Sequence, residues 1–289
     1  MKQLLDLYRD IIDNGQYTED RTGVGTIAVF GRMLRFNMGD GFPAVTTKKL
    51  MFKSVVSELL WMLEGSGNEH RLAEIKNDNK PYNILTEKER RTIWTDNYNN
   101  QAKALGYVDG WLGPVYGYQY RFGYNVDQIT NVIDLIKNDP TSRRMVVTAW
   151  NPKDLYKMAL PPCHYAYQFN VSGDNYEYLS LMFQMRSVDT FLGLPFDIAS
   201  YGLLLHIIAK ITNKIPLDLV GVFGNTHIYK NHIDQVKQQL LRMPGILPGL
   251  AMPDADYTNI DTFLKTVKTS DFKLINYSPA DAIYAPMAI

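Results

Sequence analysis

The chain has 289 residues, of which 46% are hydrophobic and 21% are charged, a balance typical of globular proteins. Its 30 lysines and arginines equal its 30 aspartates and glutamates, so no net positive charge favours duplex nucleic acid as a partner. No uninterrupted apolar run of about 18 residues predicts a membrane span. A single cysteine excludes an internal disulfide and, without an export signal, predicts a reducing cytoplasm.

The first half of the chain predicts two helices, an extended region between them and a polar segment after them. The pattern places helices over 2–14 and 53–63, two strands within 26–38 around a turn at Gly31 and Arg32, and a charged surface insertion over 76–92.

The second half predicts further helices and strands. Helices are expected over 126–137, 198–211 and 227–242, and strands over 145–150, 165–171, 178–185 and 217–223. The segments 165–171 and 178–185 read as a strand pair around a polar turn. Because no repeat, low-complexity tract or flexible linker divides the chain, the pattern predicts one α+β domain over residues 1–289.

The only cysteine, Cys163, follows two prolines in the run Pro161-Pro162-Cys163-His164. A lone thiol supplies too few ligands for a structural zinc site. A free cysteine is most often a small buried hydrophobe. The alternative is a nucleophile at the mouth of a cleft, since the prolines fix the backbone before it and a strand-like aromatic segment follows. The thiol alone leaves both interpretations open.

Two arginine-containing segments are candidates for anion binding. Residues 20–26 place Arg21 beside glycines that can form an anion-binding loop, although such glycines are also common in turns. Arg143 and Arg144 precede the strand expected at 145–150. Adjacent side chains on a strand point to opposite faces, so both reach one phosphate only with a bend or a partner chain. Otherwise they form a solvated charge pair.

A third polar group lies at a predicted strand-to-helix junction. Its members are Arg186, Ser187, Asp189 and Asp197. Charges among apolar residues are costly unless they are paired or functional. His227 and Tyr229 are expected where a strand ends and a helix begins, a favoured place for ligand contacts. His227 and His232 would lie on different helix faces, so no metal site is predicted.

Ordered motifs over essentially the whole chain resemble the thymidylate synthase family. They are residues 20–23, 41–43 with 46–48, 58–61, 113–117, 142–144, 162–164, 186–189, 193–196, 224–229 and the closing tail 285–289. The resemblance implies a single-domain fold with a mixed β-sheet packed by helices, and a homodimer formed through a sheet face. It also implies 5,10-methylenetetrahydrofolate as one-carbon donor, a pyrimidine nucleotide as substrate and no metal. The length of the insertion resembles phage members of the family.

The resemblance implies a role for each matching residue. Cys163 would be the thiolate that adds to C6 of the pyrimidine, and Glu58 would organise water for proton transfer. The remaining catalytic candidates are Tyr116, His164 and Asp197. The 5′-phosphate would be held by Arg21, Arg186 and Ser187, joined by Arg143 and Arg144 of the other subunit. The sugar hydroxyl would be held by His227 and Tyr229, and the folate pocket would be lined by Trp94, Asp189 and Ile289.

Asp197 stands where thymidylate synthases carry an asparagine. An amide offers one donor and one acceptor, which suits uracil, whereas a carboxylate accepts from the amino group of cytosine. Asp197 therefore resembles the deoxycytidylate hydroxymethylases, and the expected reaction is 5-hydroxymethylation of dCMP. The alternatives are thymidylate synthase acting on dUMP, a dCMP methyltransferase and a non-catalytic nucleotide or RNA binder. If the aspartate is an engineered or tolerated replacement of asparagine, thymidylate synthase is favoured.

Other departures from the family pattern are harder to interpret, and the one at Thr95 adjoins the expected folate site. Thr95 follows Trp94 where an acid is common, Met185 replaces a glutamine, and Tyr118 and Tyr120 replace a lysine or glutamine and a tryptophan. These changes do not by themselves indicate a product.

Overall fold

A computed structural model describes residues 1–20 and 23–287 of the chain. The predictions for Arg21 and Ile289 therefore lie outside the described residues. Helices cover Lys2–Asn14 (α1), Phe52–Leu63 (α2), Glu69–Lys76 (α3), Glu87–Arg90 (α4), Thr95–Asn97 (α5), Tyr116–Arg121 (α6), Gln128–Asn138 (α7), Leu194–Ile211 (α8), Ile233–Leu240 (α9) and Ile260–Thr266 (α10). Strands cover Gln16–Thr18 (β1), Thr26–Asn37 (β2), Val146–Thr148 (β3), His164–Ser172 (β4), Tyr178–Asp189 (β5), Ile215–Tyr229 (β6), Gly249–Ala251 (β7) and Lys273–Ile275 (β8).

Six of the strands form one mixed sheet in the order β1-β2-β6-β5-β4-β3. β5 and β6 are parallel, and the other neighbouring pairs are antiparallel. α8 connects β5 to β6 and packs against both strands and against α2. By length and composition α8 could span a membrane, but most of this helix is buried inside the fold, as in the core helix of a globular domain.

The core lies between the sheet and its helices. Alternate side chains of β4, β5 and β6 point into it, because successive residues of a strand face opposite sides. Its fully buried members on these strands include Tyr167, Phe169, Leu181, Phe183 and Phe223. Burying each such side chain contributes roughly 1.5–3 kcal/mol, so the apolar alternation of these strands holds the sheet against α8.

The opposite face of the sheet carries a different row of side chains. Met33, Val222 and Gln184 are neighbours in register across β2, β6 and β5. Met33 is 60% exposed, and the side-chain oxygen of Gln184 is buried without a hydrogen-bond partner among the described residues. This face is therefore partly apolar and open within one chain.

The helices predicted at 2–14, 53–63, 126–137 and 198–211 are confirmed, with ends shifted by up to four residues. The predicted strand pair is also confirmed, because β4 and β5 are antiparallel neighbours. Strand 145–150 is present in shorter form as β3, and strand 217–223 lies within the longer β6.

Two predictions of local structure were wrong. Residues 26–38 do not form two strands around a turn, since β2 runs on through Gly31, whose φ of +73° a glycine adopts without strain. Residues 227–242 do not form one helix, because β6 extends to Tyr229 and α9 begins at Ile233. In both places pairing with distant strands decides the structure: Arg32 pairs with Phe223, a contact that local sequence does not reveal.

Residues 76–92 follow α3 and include the short helix α4. Thr86 begins α4 with a capping box, in which its hydroxyl accepts from the backbone N–H of Glu89 and the Glu89 carboxylate accepts from the backbone N–H of Thr86. Most side chains of this segment are exposed or half-buried. That the segment is an insertion stays a prediction.

Candidate active site

The predicted site residues gather at one edge of the sheet. β5 and β6 are parallel and end together, with Asp189 opposite His227. β4 runs antiparallel to β5 and begins at the same edge, with His164 opposite Met185. The sheet topology thereby brings together Cys163, Arg186, Ser187, Asp189, His227 and Tyr229. Asp197 joins them from the first turn of α8.

Cys163 is held through its backbone. Its N–H donates to the Tyr116 hydroxyl oxygen at 2.9 Å, and its carbonyl accepts from the Arg186 N–H at 2.9 Å. The Arg186 guanidinium donates to the carbonyls of Pro162 and Pro161, at 2.8 and 3.0 Å. The Arg186 guanidinium therefore fixes the loop that carries the half-buried thiol.

Tyr116 begins α6 and lies at the centre of the site. The next residue, Gly117, packs so closely on α2 that a Cβ there would lie 2.4 Å from the Met62 carbonyl oxygen. The Tyr116 ring stacks on His164, with ring centroids 4.3 Å apart. Burial, followed by the charge of Cys163, raises the pKa of Tyr116 well above its usual value. The hydroxyl therefore stays protonated at neutral pH.

His164 is close to Cys163 in sequence but is oriented into the protein. Its Nδ1 lies 2.8 Å from the Tyr201 hydroxyl. Its Nε2 lies 4.0 Å from Asp197 Oδ1, which is too long for a hydrogen bond. Burial lowers the pKa of His164 to about 3, so the ring is neutral at pH 7. The structure places His164 in the site as a neutral ring bonded to Tyr201, and its catalytic role stays a prediction.

Asp197 has a perturbed carboxyl group. Burial raises the pKa of Asp197 well above its usual value, and the negative charges of Glu58 and Asp189 raise it further. The N-terminus of α8 favours an anion by about 0.3–1 kcal/mol, a smaller effect that acts in the other direction. The structure thus favours a protonated Asp197 carboxyl well above the pH at which an exposed aspartate ionises.

Glu58 faces the site from α2. Its Oε1 accepts a hydrogen bond from the Trp94 indole N–H at 2.7 Å. Burial raises the pKa of Glu58, and the bond from Trp94 partly offsets this rise because it stabilises the carboxylate. A buried carboxyl with a raised pKa is suited to accept and return a proton.

His227 and Tyr229 lie near the end of β6 with their rings edge to face, 5.1 Å between centroids. The His227 Nδ1 is 2.9 Å from the Asn225 amide oxygen, so Nδ1 carries the proton and Nε2 can accept from a ligand. Burial lowers the pKa of His227, which keeps the ring neutral. Sequence reasoning missed Asn225, although its spacing of two residues from His227 places both on one face of a strand.

The residues predicted for folate binding differ in what they contact. Trp94 is buried beside Glu58. Asp189 Oδ1 accepts from the backbone N–H groups of Phe191 and Leu192, at 3.0 and 3.1 Å. Both bonds use one oxygen, so Asp189 caps the turn after β5, and its role in folate binding stays a prediction.

Lys48 was noted in the sequence only as part of a motif. The structure buries it beneath the same turn, where its ammonium group donates to the Phe191 carbonyl and lies 3.7 Å from the Phe191 ring centroid. Burial lowers the pKa of Lys48 to about 8, and Asp189 opposes the shift.

Arg143 and Arg144 lie away from the site of their own chain. Both side chains are exposed and precede β3, in which Thr148 pairs with Ala166. Counting along the antiparallel strands at about 3.3 Å per residue places Arg144 roughly 20 Å from Cys163. The structure therefore does not bring these arginines to the thiol that their own chain carries.

Two predicted ligand-binding residues and the question of a metal site remain. Arg21 and Ile289 were predicted to hold phosphate and folate, and both lie outside the described residues. Within residues 1–20 and 23–287, no cluster of histidine, cysteine, aspartate and glutamate is arranged to hold a metal ion.

Comparisons with known proteins identify the family of the chain. The family model described as thymidylate synthase matches residues 2–289. The chain belongs to the thymidylate synthase family. It is 49% identical to the thymidylate synthase of Enterobacteria phage T4 and 46% identical to the probable thymidylate synthase of Escherichia phage T5, with 100% of each chain covered. It also matches the crystal structure of the T4 phage enzyme with a TM-score of 0.92, again over 100% of both chains.

Membership of the thymidylate synthase family confirms the predicted fold and the predicted one-carbon donor. The likeness to the solved T4 structure confirms the mixed sheet packed by helices. Thymidylate synthases use 5,10-methylenetetrahydrofolate, and the chain is a one-carbon transferase acting on a pyrimidine. The relatives named above are thymidylate synthases, which favours that alternative over the predicted dCMP hydroxymethylase.

Proposed function

We propose that the chain methylates dUMP reductively at C5, with 5,10-methylenetetrahydrofolate supplying both the carbon and the hydride. The observation that carries this proposal is the thiol of Cys163, held between Tyr116 and Arg186 at the sheet edge where Glu58 and Asp197 also lie. The identity of 49% to a phage thymidylate synthase supports the methyl product.

The chain's residues would divide the chemistry between them. The Cys163 thiolate adds to C6, and the electron pair of the 5,6 double bond moves toward C5 and O4. C5 can then attack the one-carbon unit of the folate. Glu58, held by Trp94, assists transfer of the proton that leaves C5. Arg186 and Ser187 bind the 5′-phosphate, and His227 and Tyr229 bind the sugar hydroxyl.

Asp197 is compatible with uracil when its carboxyl is protonated. The protonated group has one O–H donor and one carbonyl acceptor, the same pair that an asparagine amide offers. Its O–H can donate to O4 of uracil while its carbonyl accepts from N3–H. The burial that raises the pKa of Asp197 supports this form. The expectation of a cytosine substrate allowed both the ionised and the protonated carboxyl, so protonation adds uracil as a compatible base without excluding cytosine.

A second candidate is 5-hydroxymethylation of dCMP, and the presence of aspartate at position 197 favours it. An ionised Asp197 accepts from the N4 amino group of cytosine, and a protonated one can donate to N3. Water instead of hydride would then complete the reaction. Transfer of hydride to dCMP, giving a methylated cytosine, is the remaining outcome.

We also propose that the active unit is a homodimer formed through the open face of the sheet. The exposed Met33 beside Val222, and the Gln184 oxygen without a partner among the described residues, support a covering protein surface there. The distance of Arg144 from its own Cys163 supports a shared site, in which Arg143 and Arg144 bind the phosphate of the other subunit. The relatives from phages support a site of action in the host cytoplasm.

The test is incubation of the enzyme with each nucleotide and methylenetetrahydrofolate. A dUMP product heavier by one methylene group, with dihydrofolate absorbance appearing, supports thymidylate synthase. A dCMP product that also gains the oxygen of water, without dihydrofolate, supports the hydroxymethylase. Cys163→Ser is the control for background folate chemistry. No product with either nucleotide contradicts both.

A further inference from the structure

Glu69 is a buried acid that none of the predicted roles uses. It is the first residue of α3 and is 2% exposed. Its Oε1 accepts two hydrogen bonds, from the Thr92 hydroxyl at 2.8 Å and from the Thr95 hydroxyl at 2.6 Å. A buried carboxylate with two short hydroxyl donors restrains the segment that supplies them.

The restrained segment carries Trp94. The Trp94 backbone N–H donates to the Thr92 hydroxyl oxygen at 3.1 Å, and the Thr92 N–H donates to the Thr95 hydroxyl oxygen at 2.8 Å. Each threonine hydroxyl therefore accepts from a backbone N–H and donates to Glu69. This closes a hydrogen-bonded ring around the backbone on both sides of Trp94.

The Trp94 side chain contacts residues of the active site, so its backbone position affects them. Its indole N–H donates to Glu58 at 2.7 Å. Its ring packs against Trp61 and Tyr116, with centroids 5.7 and 5.8 Å away. A shift of the Trp94 backbone would break the bond to Glu58 and loosen the ring against Tyr116, which in turn holds the Cys163 N–H.

We infer that Glu69 is a positioning residue, which acts through the hydroxyls of Thr92 and Thr95 to hold the Trp94 indole on Glu58. The inference rests on the proposed role of Glu58 in proton transfer. Glu69 does not touch the reacting atoms, and its contribution is to keep the Glu58 carboxyl in one orientation.

Matched variants separate the hydrogen bonds from the packing. Thr95→Val keeps the shape of the side chain and removes the hydroxyl, whereas Thr95→Ser keeps the hydroxyl. Glu69→Leu removes the acceptor. Glu69→Gln keeps it, because the single oxygen that accepts both bonds can be an amide oxygen with two lone pairs. We expect Thr95→Val and Glu69→Leu to lower kcat by about 10- to 100-fold with little change in the KM for the nucleotide, as for misplacement of a catalytic group. Thr95→Ser and Glu69→Gln remain near wild type.

The pH profile gives a readout that a structural defect would not move. The Trp94 bond lowers the pKa of Glu58, so losing it raises that pKa and moves the corresponding limb of the kcat profile to higher pH. Asp197 also lies near Glu58, but Thr95→Val and Trp94→Phe both leave Asp197 unchanged. Thr95→Val and Trp94→Phe are expected to move the limb in the same direction, and the double variant no further than Trp94→Phe alone.

Three outcomes overturn the inference: full kcat in Thr95→Val, no recovery in Glu69→Gln, or additive effects of Thr95→Val and Trp94→Phe. Thermal unfolding of each variant identifies a folding defect in Glu69→Leu, and Thr95→Val then decides alone. Full turnover in Glu58→Gln would instead refute the proposed function of Glu58. Loss of turnover there with normal kcat in Thr95→Val refutes only the inference about Glu69.

Discussion

The strand side and the helix side of the site are held by different forces. On the strand side, backbone hydrogen bonds to Tyr116 and Arg186 fix the loop of Cys163. On the helix side, Glu58 and Asp197 are carboxyls whose protonation depends on burial. The comparison teaches that substitutions on the strand side change geometry and nucleophilicity, whereas burial on the helix side sets the protonation of two carboxyl groups.

The largest effect is expected for the nucleophile on the strand side. Cys163→Ser should fold and bind nucleotide but lose turnover by about 10³-fold or more, since a serine hydroxyl without an activating base is a far weaker nucleophile at neutral pH. Release of tritium from C5-labelled nucleotide should stop as well, because the exchange requires the C6 adduct. Retained tritium release would show that Cys163 is not the nucleophile.

On the helix side, Asp197→Asn should change base preference. The amide restores a fixed donor and acceptor for uracil and should move relative kcat/KM from dCMP toward dUMP by roughly 10²–10⁴ at a pH where Asp197 is ionised. The measurement is kcat/KM for both nucleotides in wild type and variant. An unchanged ratio at every pH would remove Asp197 from base recognition.

The same residue should give the helix side a pH dependence of its own, in which activity falls as pH rises. Because the folded protein raises the pKa of Asp197, the protonated form that suits dUMP persists above the usual range of aspartate and is lost as pH rises through the raised pKa. Wild-type kcat/KM for dUMP should fall along that limb. Asp197→Asn cannot titrate and should lack the limb. A limb present in both proteins belongs to another group, such as Glu58.

Mixing two inactive variants tests whether the strand side is completed by a second subunit. Cys163→Ser mixed with Arg143→Ala should form hybrid dimers in which one of the two sites is intact. With random exchange of subunits, about one quarter of wild-type activity should return. Each variant alone is the control. Sedimentation that shows a fully active monomer at assay concentration would contradict the shared site.

The smallest effect is expected where the two sides meet, at Tyr116. Tyr116→Phe keeps the ring stacked on His164 and removes the oxygen that accepts from the Cys163 N–H. Leaving that donor unpaired costs about 1–3 kcal/mol, so kcat should fall roughly tenfold. Steady-state kinetics check this, and normal kinetics would show that the hydroxyl does not position the thiol.

Much of the fold follows from short-range pattern. The apolar stripe of α1, the strand pair of β4 and β5 and the long apolar α8 are all visible as periodicity. The continuous β2 and the extension of β6 to Tyr229 are not, because their stability comes from neighbours that are distant in sequence. Local propensity at residues 227–229 therefore predicted a helix where strand pairing is more favourable.

The sequence by itself determined the family, the lone thiol in its Pro-Pro-Cys-His run and the departure at Asp197. Residue identities and their spacing carry that information. Only the tertiary structure decided the protonation of buried groups, as for Asp197 and His164. It also decided which distant side chains are in contact, as for Glu69 with Thr95. The reason is physical: desolvation and hydrogen bonding depend on what surrounds a group, and chain folding brings those surroundings from positions that sequence order does not connect.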